Sequence, residues 1–200
     1  MIRSISICSV LIIVGCQSST ESSFQSLNNA FVNWYYKYHP IESTRYGISK
    51  YNGNFRLMDT VENEEYIADV ARFIIELSQI DVTKLSPSAR VDYNVLYFHL
   101  EKIQFEMIHI RPWEWNPLWT LEEIAHGLFL LSERKEINMN ERVESVHDRL
   151  IKIPYLLQQS RVNLIAYSNM FIQYGNDLID KIILLLQQIP LKLSSDNFTL

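Results

Sequence analysis

Three glutamate–histidine pairs in this sequence have the spacing that helix bundles use to hold two iron or manganese ions. In such bundles a glutamate and a histidine three positions apart project from one helix face toward the metals. At about 100° per residue, however, none of these pairs points both side chains toward the apolar stripe of its own helix. We therefore interpret them as solvated helix faces and predict no metal site from them. The pairs are Glu106/His109, Glu123/His126 and Glu144/His147.

Other catalytic signatures are missing from the sequence. Zinc hydrolases with a helical metal site carry His-Glu-x-x-His, and serine hydrolases of the α/β class carry Gly-x-Ser-x-Gly. Neither pattern occurs in the 200 residues. We predict no catalytic residue and no bound cofactor in this chain.

Three tryptophans cluster in the segment RPWEWNPLW, at Trp113, Trp115 and Trp119. The two prolines of this segment break any regular element, so the tryptophans are expected in or beside a loop. Such rings can line a ligand groove, or they can fill the space between helices and bury their apolar surface. We favour the second interpretation and keep the ligand groove as the alternative.

The N-terminus has the pattern of an export signal. An apolar run from Ile5 to Val14 follows Arg3, and it is shorter than the ~20 residues that a membrane-spanning helix needs. The four residues from Ile13 to Cys16 resemble the lipobox of bacterial lipoproteins. In that class the signal is removed before the cysteine, whose sulfur carries a diacylglycerol group. We therefore expect residues 1–15 to be a signal peptide and Cys16 to be lipidated.

The expected anchor has consequences for location and stability. Residues 16–23 are mostly Ser, Thr and Gln, which predicts a flexible tether between lipid and domain. Gln17 rather than aspartate follows the cysteine, and lipoprotein sorting then implies the periplasmic side of the outer membrane if the source is diderm. Cys8 and Cys16 are the two cysteines of the sequence, so no thiol remains for a disulfide.

Composition limits the class of the remaining domain, residues 24–200. Hydrophobic residues make up 48% of the sequence and charged residues 20%, as in globular proteins. The net charge of −5 and the lack of a basic run exclude nucleic acid as an expected partner. Five glycines and six prolines are too few for a typical all-β sandwich, so helices are favoured.

Apolar residues recur at spacings of three and four through most of the domain, which predicts an all-α, irregular bundle of about six to seven helices. Pro154 is expected to kink the helix that contains it, and Pro190 to end the last one. That last helix is apolar on much of its circumference. The predicted helices begin near Ser22, Asp59, Ser86, Thr120 and Asn140, with the last from Asn169 to Ile189.

Several stretches together resemble the N-terminal part of domain-of-unknown-function family 885. They are HPIESTRYG, ARVDYNVL, WEWNPLW and RLIKIPYLLQQSRVNL, in this order along the chain from about Phe24 onward. The resemblance implies a largely helical, zincin-like bacterial protein with metal-dependent peptidase or related hydrolase activity. Its zinc would be held by a His-Glu motif that lies further along such proteins and is absent here.

The resemblance also implies that this chain is the N-terminal portion of a larger protein, truncated at Leu200. We expect it to be non-catalytic in this form and anchored to a membrane through Cys16. The apolar segment from Leu178 to Ile189 would then be covered by a missing C-terminal region or a partner. The rival interpretation is a non-enzymatic helical lipoprotein that binds a partner or small ligand through the loop from Trp113 to Trp119.

Overall fold

The computed structural model describes the backbone of residues 3–195 and the side chains of residues 19–194. Within that part of the chain there are seven α-helices and no strand, which confirms the predicted all-α class. Short 3₁₀ turns occupy 49–51, 82–84 and 112–114. The helices are α1 (Arg3–Tyr38), α2 (Pro40–Arg45), α3 (Thr60–Ser78), α4 (Pro87–Phe105), α5 (Leu118–Glu133), α6 (Met139–Asn163) and α7 (Asn169–Ser195).

The expected signal peptide and Cys16 lie outside the residues whose side chains the structure describes. Residues 19–23, which we predicted as the end of a flexible tether, are helical and belong to α1. The hydroxyl of Ser23 donates to the Ser19 carbonyl at 2.9 Å, as serines inside helices often do. Over the described residues, no helix combines the length and the hydrophobicity needed to cross a bilayer.

The chain folds into two compact units. The first unit comprises residues 1–34 and 64–110, and the second comprises residues 35–63 and 111–200. In the first unit, α1, α3 and α4 pack aromatic and aliphatic side chains together. Trp34 stacks on Tyr66 with 4.8 Å between ring centroids, and its indole N–H donates to Asp69 at 2.7 Å. The buried indole is therefore hydrogen-bonded, which keeps its burial favourable.

The second unit carries the core that positions the candidate site. Helices α5, α6 and α7 bury aliphatic side chains against α2 and the segment that follows it. Helix α7 continues through Pro190 to Ser195, so the prediction that this proline ends the helix is wrong. Packing on both sides of Pro190 offsets the lost hydrogen bond, since Ile189 is buried and Leu193 lies against the core. The buried core residues are Ile41, Phe55, Ile124, Leu128, Leu131, Val146, Leu156, Ile182 and Ile189.

Two of the five predicted helix starts carry the expected capping residue. The start expected near Ser22 is wrong, because α1 begins at Arg3 and Ser22 lies inside it. Ser86 accepts a hydrogen bond from the Ala89 N–H at 3.3 Å, and Asp59 accepts one from Glu62 at 2.9 Å. The helix expected to begin near Thr120 begins two residues earlier, at Leu118, and Thr120 does not cap it. Helix α6 is capped by Asn138 instead of the expected Asn140.

A bend lies between residues 87 and 114, where α4 passes into a π-helical segment, Glu106–Ile110. A π turn holds an extra residue and thereby changes the direction of a helix. We predicted a kink at Pro154, and the structure keeps α6 helical on both sides of that proline.

Candidate functional site

Arg149 lies at the centre of the second unit with a fully buried side chain. Its guanidinium donates to the Asn54 carbonyl at 3.1 Å, to the Thr44 hydroxyl at 2.8 Å and to the Gly127 carbonyl. The guanidinium carbon lies 5.4 Å from the centre of the Phe55 ring. This one side chain on α6 therefore connects α2, α5 and the segment between α2 and α3 through three hydrogen bonds. Burial lowers the pKa of Arg149 to about 10, against the opposing charge of Glu123, so it stays protonated at neutral pH.

The glycine at position 127 lets these elements approach one another closely. A Cβ atom there would lie 2.5 Å from the Phe55 ring and 2.7 Å from the Ile41 side chain. Because real Cβ atoms do not approach other heavy atoms so closely, the close packing of α5 against Phe55 and α2 requires glycine here.

The sequence pattern alone missed the burial of Arg149 and Arg142 on α6. Apolar spacing alone would place Val143 on the inward face of α6, but Val143 is exposed, and the buried face instead carries the two arginines together with Val146 and Leu156. The signal that could have found them is spacing, because the arginines are seven residues apart and share one helix face with Val146. Arginine is almost never fully buried unless paired, so periodicity counted over apolar residues passed over both positions.

Glu123 on α5 provides a carboxylate close enough to Arg149 for their charges to interact. Burial raises its pKa, and the charges of Arg56 and Arg149 together with the Arg56 backbone N–H oppose that shift. We predicted Glu123 on a solvated helix face, and this is wrong because it is half-buried. Residues of α6 and of the chain before α3 lie beside Glu123 and cover this side of α5. The spacing of apolar residues within α5 cannot show that such distant segments pack there.

Glu123 lines a small cleft that contains both charged and aromatic side chains. Its volume of about 50 Å³ accommodates a few water molecules or the polar end of a larger ligand. Three of the stretches that carry the family resemblance contribute to its wall, through His39, Trp119 and Leu156. The lining residues are His39, Arg56, Met58, Trp119, Thr120, Glu123, Leu156 and Gln159.

The three tryptophans of the predicted groove occupy different environments in the second unit. Trp113 is buried beside Pro112, whereas Trp115 is 43% exposed with its ring 6.1 Å from that of Phe171. Trp119 is half-buried and is the tryptophan of the three that lines the cleft.

The other glutamate–histidine pairs also point away from a shared site. Glu144 and His147 are both exposed, and so are His109 and His126. Among the residues that the structure describes, no group of three histidine, cysteine or acidic side chains is placed to hold a metal ion.

The raised pKa of Glu123 predicts a pH-dependent stability. A carboxyl whose folded pKa exceeds its unfolded value of about 4.3 stabilises the fold most below that value, and this contribution is lost as the pH rises through the folded pKa. Because glutamine cannot ionise, the wild type should lose unfolding free energy relative to Glu123→Gln as the pH rises. Urea unfolding of both proteins at a series of pH values, followed by circular dichroism, measures this difference.

The neighbouring Glu122 provides a matched control for this measurement. It is exposed on the same helix, and Glu122→Gln should keep the pH profile of the wild type. A pH-independent difference between wild type and Glu123→Gln would contradict the interpretation.

Comparisons with known proteins define the fold and leave the family open. No protein-family profile matches the chain, and no curated protein sequence matches it. A solved structure of a candidate lipoprotein of unknown function from Shewanella oneidensis is similar in fold, with a TM-score of 0.66 at 17% sequence identity. The similarity covers 87% of this chain and 37% of that chain. The helical architecture found here is thus shared with one part of a longer protein.

Proposed function

We propose that this chain is the N-terminal helical region of a lipid-anchored bacterial envelope protein, attached through Cys16. The observation that carries the proposal is the lipobox-like sequence from Ile13 to Cys16 at the end of a short apolar run. The description of the Shewanella protein as a candidate lipoprotein supports it. In a diderm source the anchor would lie in the outer membrane and the domain on its periplasmic side.

Metabolic labelling with an alkyne fatty acid tests the anchor directly. The full chain expressed in a bacterium should take up the label and sediment with membranes, because several acyl chains give stable attachment. Cys16→Ser should abolish labelling, while Cys8→Ser, within the expected signal, should leave it unchanged. An unlabelled wild-type chain whose N-terminus is intact by mass spectrometry would overturn the proposal.

We further propose that the whole protein is a zincin-like peptidase or related hydrolase, in which this region is a non-catalytic wall. The support is the resemblance of four sequence stretches to family 885, together with the greater length of the structurally similar protein. Zinc would be held by residues outside this chain. Sequencing the DNA downstream of the codon for Leu200 tests this, since a continuing frame with His-Glu-x-x-His is expected.

We propose that the partner expected over Leu178 to Ile189 contacts one side of α7. Ile172, Ile179 and Ile183 share that side at about 100° per residue, and they are 47%, 41% and 48% exposed. We propose that further polypeptide packs there, because exposed apolar patches of this kind mark interaction surfaces. The part of the segment that faces α5 is already covered, since Ile182 and Ile189 are buried.

The alternative function is ligand binding through the loop from Trp113 to Trp119, without catalysis. It is favoured by one observation, the position of Trp119 in the wall of the polar cleft. The volume of that cleft limits such a ligand to a small polar group at this point. If the loop binds a ligand, Trp113→Ala and Trp115→Ala should lose binding and keep their stability. If the tryptophans are structural, the substitutions should lower stability.

A further inference from the structure

A second and larger cavity lies in the second unit, as a groove between α5 and α7. Its volume of about 320 Å³ falls within the range of small-molecule binding sites. Phe129 and Leu184, on opposite walls, are each about half exposed, so the groove opens to solvent. The lining residues are Ala125, His126, Phe129, Leu178, Lys181, Ile182, Leu184, Leu185, Gln188 and Lys192.

Two lysines border this apolar groove. Lys181 and Lys192 are among the described residues that line it, and none of those residues is acidic. Lys192 pairs with Glu133, whereas Lys181 makes no ion pair among the residues that the structure describes. The ammonium group of Lys181 is therefore available to an anionic group on a ligand.

The side of α7 that forms the groove differs from the side proposed to contact further polypeptide. At about 100° per residue, Leu185 and Lys181 lie on one side of Ile182, and Ile179 and Ile183 lie on the other. Two independent apolar surfaces therefore flank the buried ridge of this helix. A variant on either side can be made without touching the other.

We propose that the groove binds a single-chain amphiphile with an anionic head, of the fatty-acid class. The alkyl chain would lie along Phe129, Leu184 and Leu185, and the head would pair with the ammonium group of Lys181. One turn of an α-helix with its side chains, about 10–12 Å wide and about 5.4 Å long, exceeds the groove volume of about 320 Å³, whereas a single alkyl chain matches it better. The groove lies wholly within the second unit, so the inference does not depend on lipidation of Cys16.

Photo-crosslinking in membranes tests the inference with the full chain. The chain is placed in phosphatidylcholine vesicles with diazirine-labelled palmitic acid, with the alcohol of the same tail, or with the trimethylammonium analogue. Mildly alkaline buffer keeps the acid ionised. Mass spectrometry should locate the acid probe on peptides from α5 and α7, and unlabelled palmitate should compete with it. The yield of crosslinked protein should be roughly tenfold higher for the acid than for the cationic probe.

Matched variants show whether the groove itself is labelled. Leu184→Gln, which places an amide in the apolar wall, and Lys181→Gln, which removes the charge, should each lower the yield about five- to tenfold. Ile183→Gln, equally exposed on the other side of α7, should leave the yield unchanged, and far-UV circular dichroism should be the same for all three variants.

Three outcomes would overturn the inference. The first is equal labelling by the acid and the cationic analogue, and the second is an equal loss in Leu184→Gln and Ile183→Gln. The third is crosslinking between copies or to another polypeptide at Leu184 in place of the probe, which would identify the groove as a protein interface.

Discussion

Replacing Arg149 with methionine should lower the free energy of unfolding by about 3–5 kcal/mol, the range seen when one partner of a buried charged network is removed. The guanidinium is fully buried and donates to the Asn54 carbonyl, the Gly127 carbonyl and the Thr44 hydroxyl. Methionine fills a similar volume but leaves these acceptors without their donor. Urea unfolding followed by far-UV circular dichroism measures the loss.

Two further variants separate geometry from charge. Arg149→Lys keeps the positive charge, but an ammonium group cannot reach in three fixed directions as a guanidinium does, so most of the loss should remain. Arg161 lies on the same helix and is exposed, so Arg161→Met should change stability by less than about 0.5 kcal/mol. An Arg149→Met chain as stable as the wild type would refute the central role of this side chain.

Replacing Trp113 with alanine should cost about 3–5 kcal/mol of unfolding free energy, as for other buried aromatic residues. The ring is 9% exposed in the turn between the π-helical segment and α5, where alanine would leave a cavity. The same turn holds the chain after α6, because the Glu114 carbonyl accepts a hydrogen bond from the Ile165 N–H at 2.8 Å. Loss of the indole should therefore loosen two parts of the second unit together.

Trp115 is the matched control two positions away. It is 43% exposed, so Trp115→Ala should cost less than about 1 kcal/mol. Urea denaturation of both variants gives the comparison. If Trp113→Ala kept its stability, Trp113 would not be a structural residue, and the alternative of a ligand site in this loop would gain support.

Where other helices pack along the whole apolar face of a helix, the three- and four-residue spacing of apolar residues identifies the buried positions. In α1 the residues at this spacing, Phe24, Leu27 and Phe31, are buried, and so are Ile124 and Leu128 in α5. Burial of these side chains is favourable in any packing arrangement, so the spacing of apolar residues is enough to find them.

Periodicity failed where burial depends on a polar partner from a distant part of the chain. Arg149 is 22 residues from Gly127 and more than 90 from Thr44 and Asn54, so nothing local marks its acceptors. Glu123 lies away from the apolar stripe of α5, and residues of α6 and of the chain before α3, distant in sequence, cover it. The cleft and the α5–α7 groove combine residues from separate helices, and a one-dimensional pattern does not show which faces meet.

The sequence by itself determined the helical class and many positions of the aliphatic core, because both depend on neighbours within a few turns. The tertiary structure decided the division into two units, the burial of two arginines on α6, the half-buried carboxylate of Glu123 and the course of α7 through Pro190. Desolvating a charge or interrupting a helix costs free energy that only contacts from distant segments offset. Such contacts exist once the chain has folded.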